Sequence, residues 1–256
     1  MLGDFTPLVY HFGKAIKIYT VSDLHIGAAE VLLKAWHDFK KQLLSEPDSY
    51  ITISGDMMNN GIKNSKTNVY EETMRPRDQK AWLVEQLRDI TDKILCVVPG
   101  NHEYRSVKEV DDNPLYDVCC KLNIEDKFRE NAAILIIRMG NTKGSGLKNP
   151  TYTGCVIHGA GGGATAYARN KKFGYAFDGL DFLIAGHSHE AMNGTPAKIV
   201  IDKHNKRVTI KPFRVIIATA WLDYAGYAMR MQLTPTGHAL AELTLCECKK
   251  EMKVTQ

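Results

Sequence analysis

The chain has 256 residues, of which 44% are hydrophobic and 24% are charged, and its formal net charge is +4. These proportions are those of an ordinary globular protein, and they exclude wholesale disorder and fibrous repeats. No apolar run approaches the roughly 20 residues that a membrane helix needs. Residues 1–17 lack the pattern of a cleaved signal, so we expect a cytoplasmic protein that does not contact a membrane.

The first half of the chain alternates short β-rich runs with amphipathic segments. Strands are predicted at residues 16–21, 50–54 and 94–98, and helices at 30–45 and 77–91. This β-α-β-α-β order is typical of a largely parallel sheet with helices on its faces. We expect this half, residues 1–130, to carry most of the functional side chains.

After residue 130 the pattern changes to short β-rich runs separated by turns. Strands are predicted at 132–138, 151–157 and 181–185, and strands and turns continue through 197–245. The half from 131 to 248 is therefore expected to be mostly β and largely antiparallel. Residues 249–256 are polar and are expected to fray. The whole chain, 1–256, is predicted to be one domain, an α/β sandwich of two sheets.

Metal-ligand residue types follow five of the predicted strands. The segments are Ser22-Asp23-Leu24-His25, Ser54-Gly55-Asp56, Pro99-Gly100-Asn101-His102-Glu103, Ile157-His158-Gly159 and Gly186-His187-Ser188-His189. Ligands of open α/β sheets gather at the carboxyl ends of strands, so these segments are expected to meet at one surface. Carboxylate oxygen and neutral imidazole nitrogen suit Mn, Fe, Zn and similar divalent ions. Two such ions, roughly 3.5–4 Å apart, can activate a hydroxide and clamp a phosphoryl group during in-line attack.

The ordered motifs DLH, GD, GNHE, HG and GHSH resemble those of the calcineurin-like metallophosphoesterases. The resemblance implies an αββα sandwich of two sheets with mixed parallel and antiparallel strands. It also implies two divalent ions, with Mn favoured and Fe, Zn, Ni or Mg as alternatives. Residue by residue, it assigns Asp23, His25 and His189 to a first ion, Asp56 to both ions, and Asn101, His158 and His187 to a second. Further stretches, such as residues 101–116, resemble phage and prophage members of the family that are described as repair exonucleases.

His102 matches a histidine of the family that binds no metal and either stabilises the transition state or protonates the leaving oxygen. Glu103 matches the acidic residue after it, for which we expect a supporting role behind the ligands. Many members carry an Asp, three residues after the bridging Asp, that orients this histidine. Here that position is Asn59, which can accept a hydrogen bond but carries no charge, so the pKa of His102 is expected to be lower. The Asp-Arg-Gly signature of phosphoprotein phosphatases is missing.

The residues that contact substrate are less sharply indicated. Gly161 and Gly162 belong to a glycine run that either exposes N–H groups to a phosphate or forms a flexible turn. Arg105 and Arg169 supply cations near the motifs, although a charge cluster such as 169–172 is usually solvated surface. The nearby aromatic residues either stack on bases or pack in the core; they are Tyr167, Phe173, Tyr175 and Phe177.

The leading interpretation is a two-metal phosphoester hydrolase that favours phosphodiesters, with a nucleic acid or a nucleotide as substrate. In it a metal-activated hydroxide attacks phosphorus in line while His102 assists the leaving group. One alternative is a monoesterase that acts on phosphoproteins or small phosphometabolites. The other is a metal-stabilised binding module without turnover. The sequence leaves the oligomeric state open, and recognition of long duplex DNA would need an oligomer or another protein.

Overall fold

Most strands of the chain lie in two stacked sheets, and two more form a separate hairpin. The computed structural model describes residues 6–65, 68–140, 149–160, 165–230, 232, 235 and 237–256. The strands are β1 (Leu8–Phe12), β2 (Ile16–Val21), β3 (Ser49–Ser54), β4 (Ile94–Val98), β5 (Ala132–Met139), β6 (Thr151–Ile157), β7 (Phe182–Ala185), β8 (Met192–Gly194), β9 (Ala197–Asp202), β10 (Arg207–Pro212), β11 (Arg214–Ile217), β12 (Glu242–Leu245) and β13 (Met252–Thr255). The helices are α1 (Leu33–Ser45), α2 (Pro76–Leu87), α3 (Glu103–Val110), α4 (Pro114–Lys121), α5 (Ala166–Gly174) and α6 (Gly226–Arg230).

Both sheets mix parallel and antiparallel neighbours. The five-stranded sheet has the order β13-β12-β2-β3-β4, in which β2, β3 and β4 are parallel and β12 and β13 are added antiparallel. The six-stranded sheet has the order β1-β5-β6-β7-β11-β8. Its central strands β6, β7 and β11 are parallel, because α5 in the crossover between β6 and β7 returns the chain to the same end of the sheet. The other pairs within the second half are antiparallel, namely β5-β6, β8-β11, β9-β10 and β12-β13, so most of that half pairs in the expected antiparallel way.

Three apolar clusters hold four layers together, which confirms the αββα sandwich. Between the sheets, Ile18 of β2 belongs to the same cluster as Leu135 of β5. The next residue, Tyr19, points to the opposite face, as the pleat of a strand requires, and packs in the cluster that contains Trp36 of α1. On the far side of the six-stranded sheet, Tyr167 of α5 covers the third cluster. Among the described residues, no helix combines the length and the apolar composition of a membrane span.

The C-terminal segment corrects the prediction of a frayed tail. Met252–Thr255 forms β13, which pairs with β12 at the edge of the five-stranded sheet. The buried hydroxyl of Tyr152 fixes the preceding turn, because it donates to the carbonyl of Cys246 (2.8 Å) and accepts from the N–H of Glu251 (2.9 Å). A polar composition therefore does not make this segment mobile, since its backbone hydrogen bonds have partners.

Several elements lie outside the predicted set. Strand β1 and helices α3, α4 and α5 were not predicted, and α1 begins at Leu33 rather than at residue 30. The second predicted helix, 77–91, ends as an α-helix at Leu87 and continues as a 3-10 helix over Arg88–Lys93. The predicted strand positions agree with the observed strands to within one residue for β2 to β7.

Candidate metal centre

Five strand ends bring the predicted ligand residues to one surface. The loops after β2, β3 and β4 carry Asp23, His25, Asp56 and Asn101, and the loops after β6 and β7 carry His158, His187 and His189. The strands within each group are parallel, so their carboxyl ends share one edge of their sheet. Because the two sheets are stacked, both edges contribute side chains to the same place.

The first group of side chains consists of Asp23, His25 and His189. The Nε2 atoms of the two histidines are 3.2 Å apart, and Oδ1 of Asp23 lies 3.7 Å from His25 Nε2 and 3.3 Å from His189 Nε2. Asp23 is completely buried, and among the described residues its Oδ1 accepts no hydrogen bond. A buried carboxylate oxygen without a donor is costly unless a cation satisfies it.

The second group consists of Asn101, His158 and His187. The Nε2 atom of His158 is 3.0 Å from Oδ1 of Asn101 and 3.2 Å from Nδ1 of His187. Asp56 lies between the two groups, with its Oδ2 3.3 Å from His158 Nε2 and 3.9 Å from His25 Nε2. A single carboxylate thus faces both sets of donors.

These separations fit ligands that share an ion. Two donors that are each about 2.1 Å from one cation, at an angle between 90° and 109°, are roughly 3.0–3.4 Å apart. The contacts between His25 and His189, and between His158 and both of its neighbours, lie in this range. Ligand atoms of Asp23, His25 and His189, and those of Asp56, His158 and His187, each lie within 4.8 Å of one another. Those of His25, Asp56 and His102 are equally close. The buried His/Asp clusters are consistent with a binuclear metal site.

The backbone of the site is strained at the residues that carry these donors. Asp23, His25, Asp56, His187 and His189 all have positive φ angles, between 49° and 70°. Residues other than glycine rarely adopt this region, at a cost on the order of 1–3 kcal/mol each, and such strain is typical of functional sites.

The pKa values show how strongly the carboxylates and imidazoles interact. Burial raises the pKa of Asp23, but the imidazoles of His189 and His25 lower it by a larger amount, so the pKa is held well below its usual range. Burial likewise opposes the ionisation of Asp56, and the His158 imidazole outweighs that effect and lowers its pKa. Burial lowers the pKa of His158 itself, but Asp56 raises it to about 10. The carboxylates are therefore ionised and ready to hold cations.

His102 lies beside the ligands but is held differently. Its Nδ1 donates to the backbone carbonyl of Asn59 at 2.8 Å, and its Nε2 accepts from Nη2 of Arg105 at 2.7 Å. Since a guanidinium can only donate, this ring is neutral with its proton on Nδ1. Burial, the His25 ring and Arg105 together lower the pKa of His102 to about 3, against the opposing charge of Asp56.

Asn59 does not orient His102 through its side chain, which corrects the expectation from the sequence. The Asn59 amide instead donates to Oε1 of Glu72 at 2.5 Å. The backbone carbonyl of Asn59 takes the place of the missing carboxylate and also accepts from Nη1 of Arg105 at 3.0 Å. The ring is thus oriented by a neutral acceptor.

Glu103 connects two of the ligand loops from beneath. Its carboxylate accepts from the backbone N–H groups of Asp56 (2.9 Å), Met58 (3.0 Å) and Gly100 (2.8 Å). Burial, and then the charge of Asp56, raise the pKa of Glu103 to about 7. A Cβ on Gly100 would lie 2.1 Å from Oδ1 of Asp56, so only glycine allows the two loops to approach this closely.

The sequence pattern and the site geometry agree with a known family. The profile of the family described as "Calcineurin-like phosphoesterase" matches residues 16–191, which is more than half of the chain and includes every predicted ligand. The chain belongs to the calcineurin-like phosphoesterases. The range matched by this calcineurin-like family contains all five strand-end motifs that the structure brings together.

Individual relatives of this calcineurin-like phosphoesterase are distant. The DNA polymerase II small subunit of Halobacterium salinarum is 26% identical over 108 residues, which are 41% of this chain and 21% of that protein. The chain thus spans about a fifth of the length of the curated relatives it matches. Among solved structures, a metallophosphoesterase from Sphaerobacter thermophilus has 16% identity and a TM-score of 0.43, with 90% of this chain and 83% of that one covered. The phosphoesterase YfkN from Bacillus subtilis has 13% identity and a TM-score of 0.45, with 94% and 90% covered.

Two residues that support this calcineurin-like site were missed in the sequence. Glu72 accepts from Asn59 and from Nε2 of Gln79 (2.9 Å), while Oε1 of Gln79 accepts from the N–H of Asn60 at 2.9 Å. Gln79 is completely buried, four residues before Leu83 on the apolar face of α2. A polar residue on an apolar helix face could have indicated a structural role for Gln79. No sequence pattern indicated a role for Glu72.

Two clefts at the candidate metal centre share Asn101 in their linings. One has a volume of about 300 Å³, and its lining contains most of the predicted ligands, His25, Asp56, His187 and His189 among them, together with His102 and Arg105. The other, of about 450 Å³, is lined by residues that include Tyr104, Lys108, His158, Arg169 and Phe173. The two predicted cations, Arg105 and Arg169, thus line different clefts. Gly161 and Gly162 lie outside the described residues.

Proposed function

We propose that this calcineurin-like phosphoesterase hydrolyses phosphodiesters, with nucleotides or nucleic acids as substrates. The observation that carries this proposal is that the cleft lined by most of the predicted ligands adjoins a second cleft, with Asn101 in both linings. A monoester has one organic substituent and needs one cleft. A diester has two organic substituents on its phosphorus, and the second cleft gives room for the second substituent.

The ligand residues would hold two divalent ions, and manganese is the ion we favour for this donor set. Asp23, His25 and His189 would hold the first ion, Asn101, His158 and His187 the second, and Asp56 both. When bound, such ions supply positive charge to phosphoryl oxygens and lower the pKa of water. The positive φ angles fix the donors before any ion arrives, and Glu103 holds two of the loops in place. We also expect the protein to act in the cytoplasm.

His102 and Arg105 would act together to stabilise the transition state. In the described arrangement Nε2 of His102 carries no proton, because it accepts from Arg105. The guanidinium is therefore a cation that could contact a phosphoryl oxygen. If it moved away from the ring, Nε2 could take a proton from solvent and then donate it to the leaving oxygen. Donation of a proton by His102 requires that Nε2 first gain one.

The proposal is tested by turnover of bis(p-nitrophenyl) phosphate and p-nitrophenyl phosphate with Mn²⁺, Mg²⁺, Zn²⁺ or Ni²⁺. We expect a higher kcat/KM for the diester. The His102→Ala variant should keep its metal content and lose on the order of 10²–10⁴-fold in kcat, because a positioned acid–base group contributes that much. His37→Ala, which removes an exposed histidine of α1, is the matched control and should leave kcat unchanged.

Three outcomes would count against the proposal. Preference for the monoester would favour the phosphomonoesterase alternative. No turnover with any of these ions, in a folded sample, would favour the metal-stabilised binding module. Full activity in His102→Ala would remove His102 from the reaction and leave Arg105 as the group to test.

A further inference from the structure

The larger of the two clefts is a groove between two helices that present the same pair of side-chain types. Tyr104 and Lys108 lie four residues apart on α3, and Arg169 and Phe173 lie four residues apart on α5. Residues at this spacing share one helix face, so each wall of the groove carries one aromatic ring and one cation. The same lining includes His158 and Asn101, from the second group of predicted ligands, and one acidic residue, Glu130.

Both aromatic rings are partly exposed to solvent. Tyr104 is 37% exposed and Phe173 is 40% exposed. Phe173 makes an edge contact with Phe177, with ring centroids 5.1 Å apart, and this contact limits how far the ring can turn. Its neighbour Tyr175 is as exposed but packs on Phe213 and does not line the groove.

We propose that this groove is a nucleobase subsite, which binds the base and the adjoining phosphate of the nucleotide beside the scissile phosphate. An aromatic ring stacks on any base, whereas the two cations suit a phosphate, and a nucleotide combines both groups. A volume of about 450 Å³ is sufficient for one nucleotide.

This inference rests on the proposed phosphodiesterase activity and names the substrate class of the same site. Its test compares two diesters that differ only in one substituent, methyl p-nitrophenyl phosphate and thymidine 5′-(p-nitrophenyl phosphate). Both are hydrolysed to the same p-nitrophenolate, so any difference in kcat/KM comes from the thymidine. We expect the thymidine ester to be favoured by about 5- to 150-fold, the range that stacking of one base contributes.

The Phe173→Ala and Tyr104→Ala variants should reduce that ratio towards one. Tyr104→Phe keeps the ring and should keep the ratio, and Tyr175→Ala is the matched control, which should also keep it. An equal loss on both esters would show that the rings only support the fold. A wild-type ratio of one, or a ratio that both alanine variants retain, would overturn the subsite.

A binding measurement separates this proposal from the proposed activity. Calorimetric titration of the manganese-loaded protein with thymidine 5′-monophosphate and with deoxyribose 5-phosphate compares ligands with and without the base. We expect tighter binding of the nucleotide, lost in Phe173→Ala. If neither ester is hydrolysed but the nucleotide binds more tightly, the hydrolase proposal fails and the proposed nucleobase subsite is supported. Equal affinities for the two ligands would overturn the subsite whatever the activity.

The two cations give a further measurable consequence. Lys108→Ala and Arg169→Ala should each weaken the binding of a short oligothymidylate. Each should also reduce the slope of a plot of log affinity against log salt concentration. The expected change in slope is about 0.7 for each phosphate contact that is lost. Lys172→Ala, an exposed lysine of α5 that does not line the groove, should leave the slope unchanged.

Discussion

In the metal centre, the charge of a single residue, Asp56, determines whether its neighbour His158 is protonated before an ion binds. Asp56 has imidazoles on both sides, and its charge raises the pKa of His158 to about 10 although burial opposes this. His158 is then protonated below that pH in the metal-free protein. A metal ligand must be a neutral imidazole, so binding of an ion at this position has to displace a proton.

We therefore expect metal binding at pH 7.5 to release at least one proton. Metal affinity should rise with pH up to about 10, by about tenfold per pH unit for each proton released, because the proton competes with the ion. Calorimetric titration with Mn²⁺ in two buffers of different ionisation enthalpy counts the protons. His158→Asn, which has no titratable ring, should release fewer. Affinity that does not vary with pH in the wild type would contradict this account.

Among the elements, α3 does the most to shape the active surface. It begins directly after His102, and its residues face three directions: Glu103 lies beneath the ligand loops, Arg105 lines the smaller cleft, and Tyr104 and Lys108 line the larger one. If the protein binds a diester as proposed, this short helix would lie between the two substituents. Its position follows from Asn60, whose amide donates to the carbonyl of His102 at 2.7 Å.

The sequence predicted the strands β2 to β7 well and the helices α3, α4 and α5 poorly, and it singled out the residues that the structure brings together at the strand ends. A strand such as β4 is a continuous apolar run, and a predicted ligand such as His189 stands in a short motif, so both are local signals. Helix α3 spans only eight residues, too few to show a clear period. Asn113-Pro114 was a readable start signal for α4, since the Asn side chain caps the helix and Pro suits its first turn. His102 is oriented by the backbone carbonyl of Asn59, because the Asn59 side chain is bound to Glu72. No local sequence pattern shows that contact with Glu72.

Strand β13 offers a test at the scale of elements. Val254 packs against the core between the sheets, while its neighbour Lys253 is exposed. Val254→Asp should lower the free energy of unfolding by about 1–3 kcal/mol, because it places a carboxylate against apolar side chains. Urea unfolding measures the change, and Lys253→Asp is the matched control on the outer side. Equal stability of the two variants would mean that this segment is frayed in solution.

At the scale of the whole molecule, each group of ligands joins the two sheets. The first group combines Asp23 and His25 from the five-stranded sheet with His189 from the six-stranded one. The second combines Asn101 from the five-stranded sheet with His158 and His187 from the other. Each ion would therefore link the two halves of the sandwich, so the packing of the sheets sets the geometry of the centre.

Anomalous diffraction from crystals grown with Mn²⁺ would show whether the predicted ligands hold two ions. We expect two peaks roughly 3.5–4 Å apart, one among Asp23, His25 and His189 and one among Asn101, His158 and His187, with the Asp56 carboxylate between them. A single peak, or peaks that do not contact Asp56, would contradict this expectation.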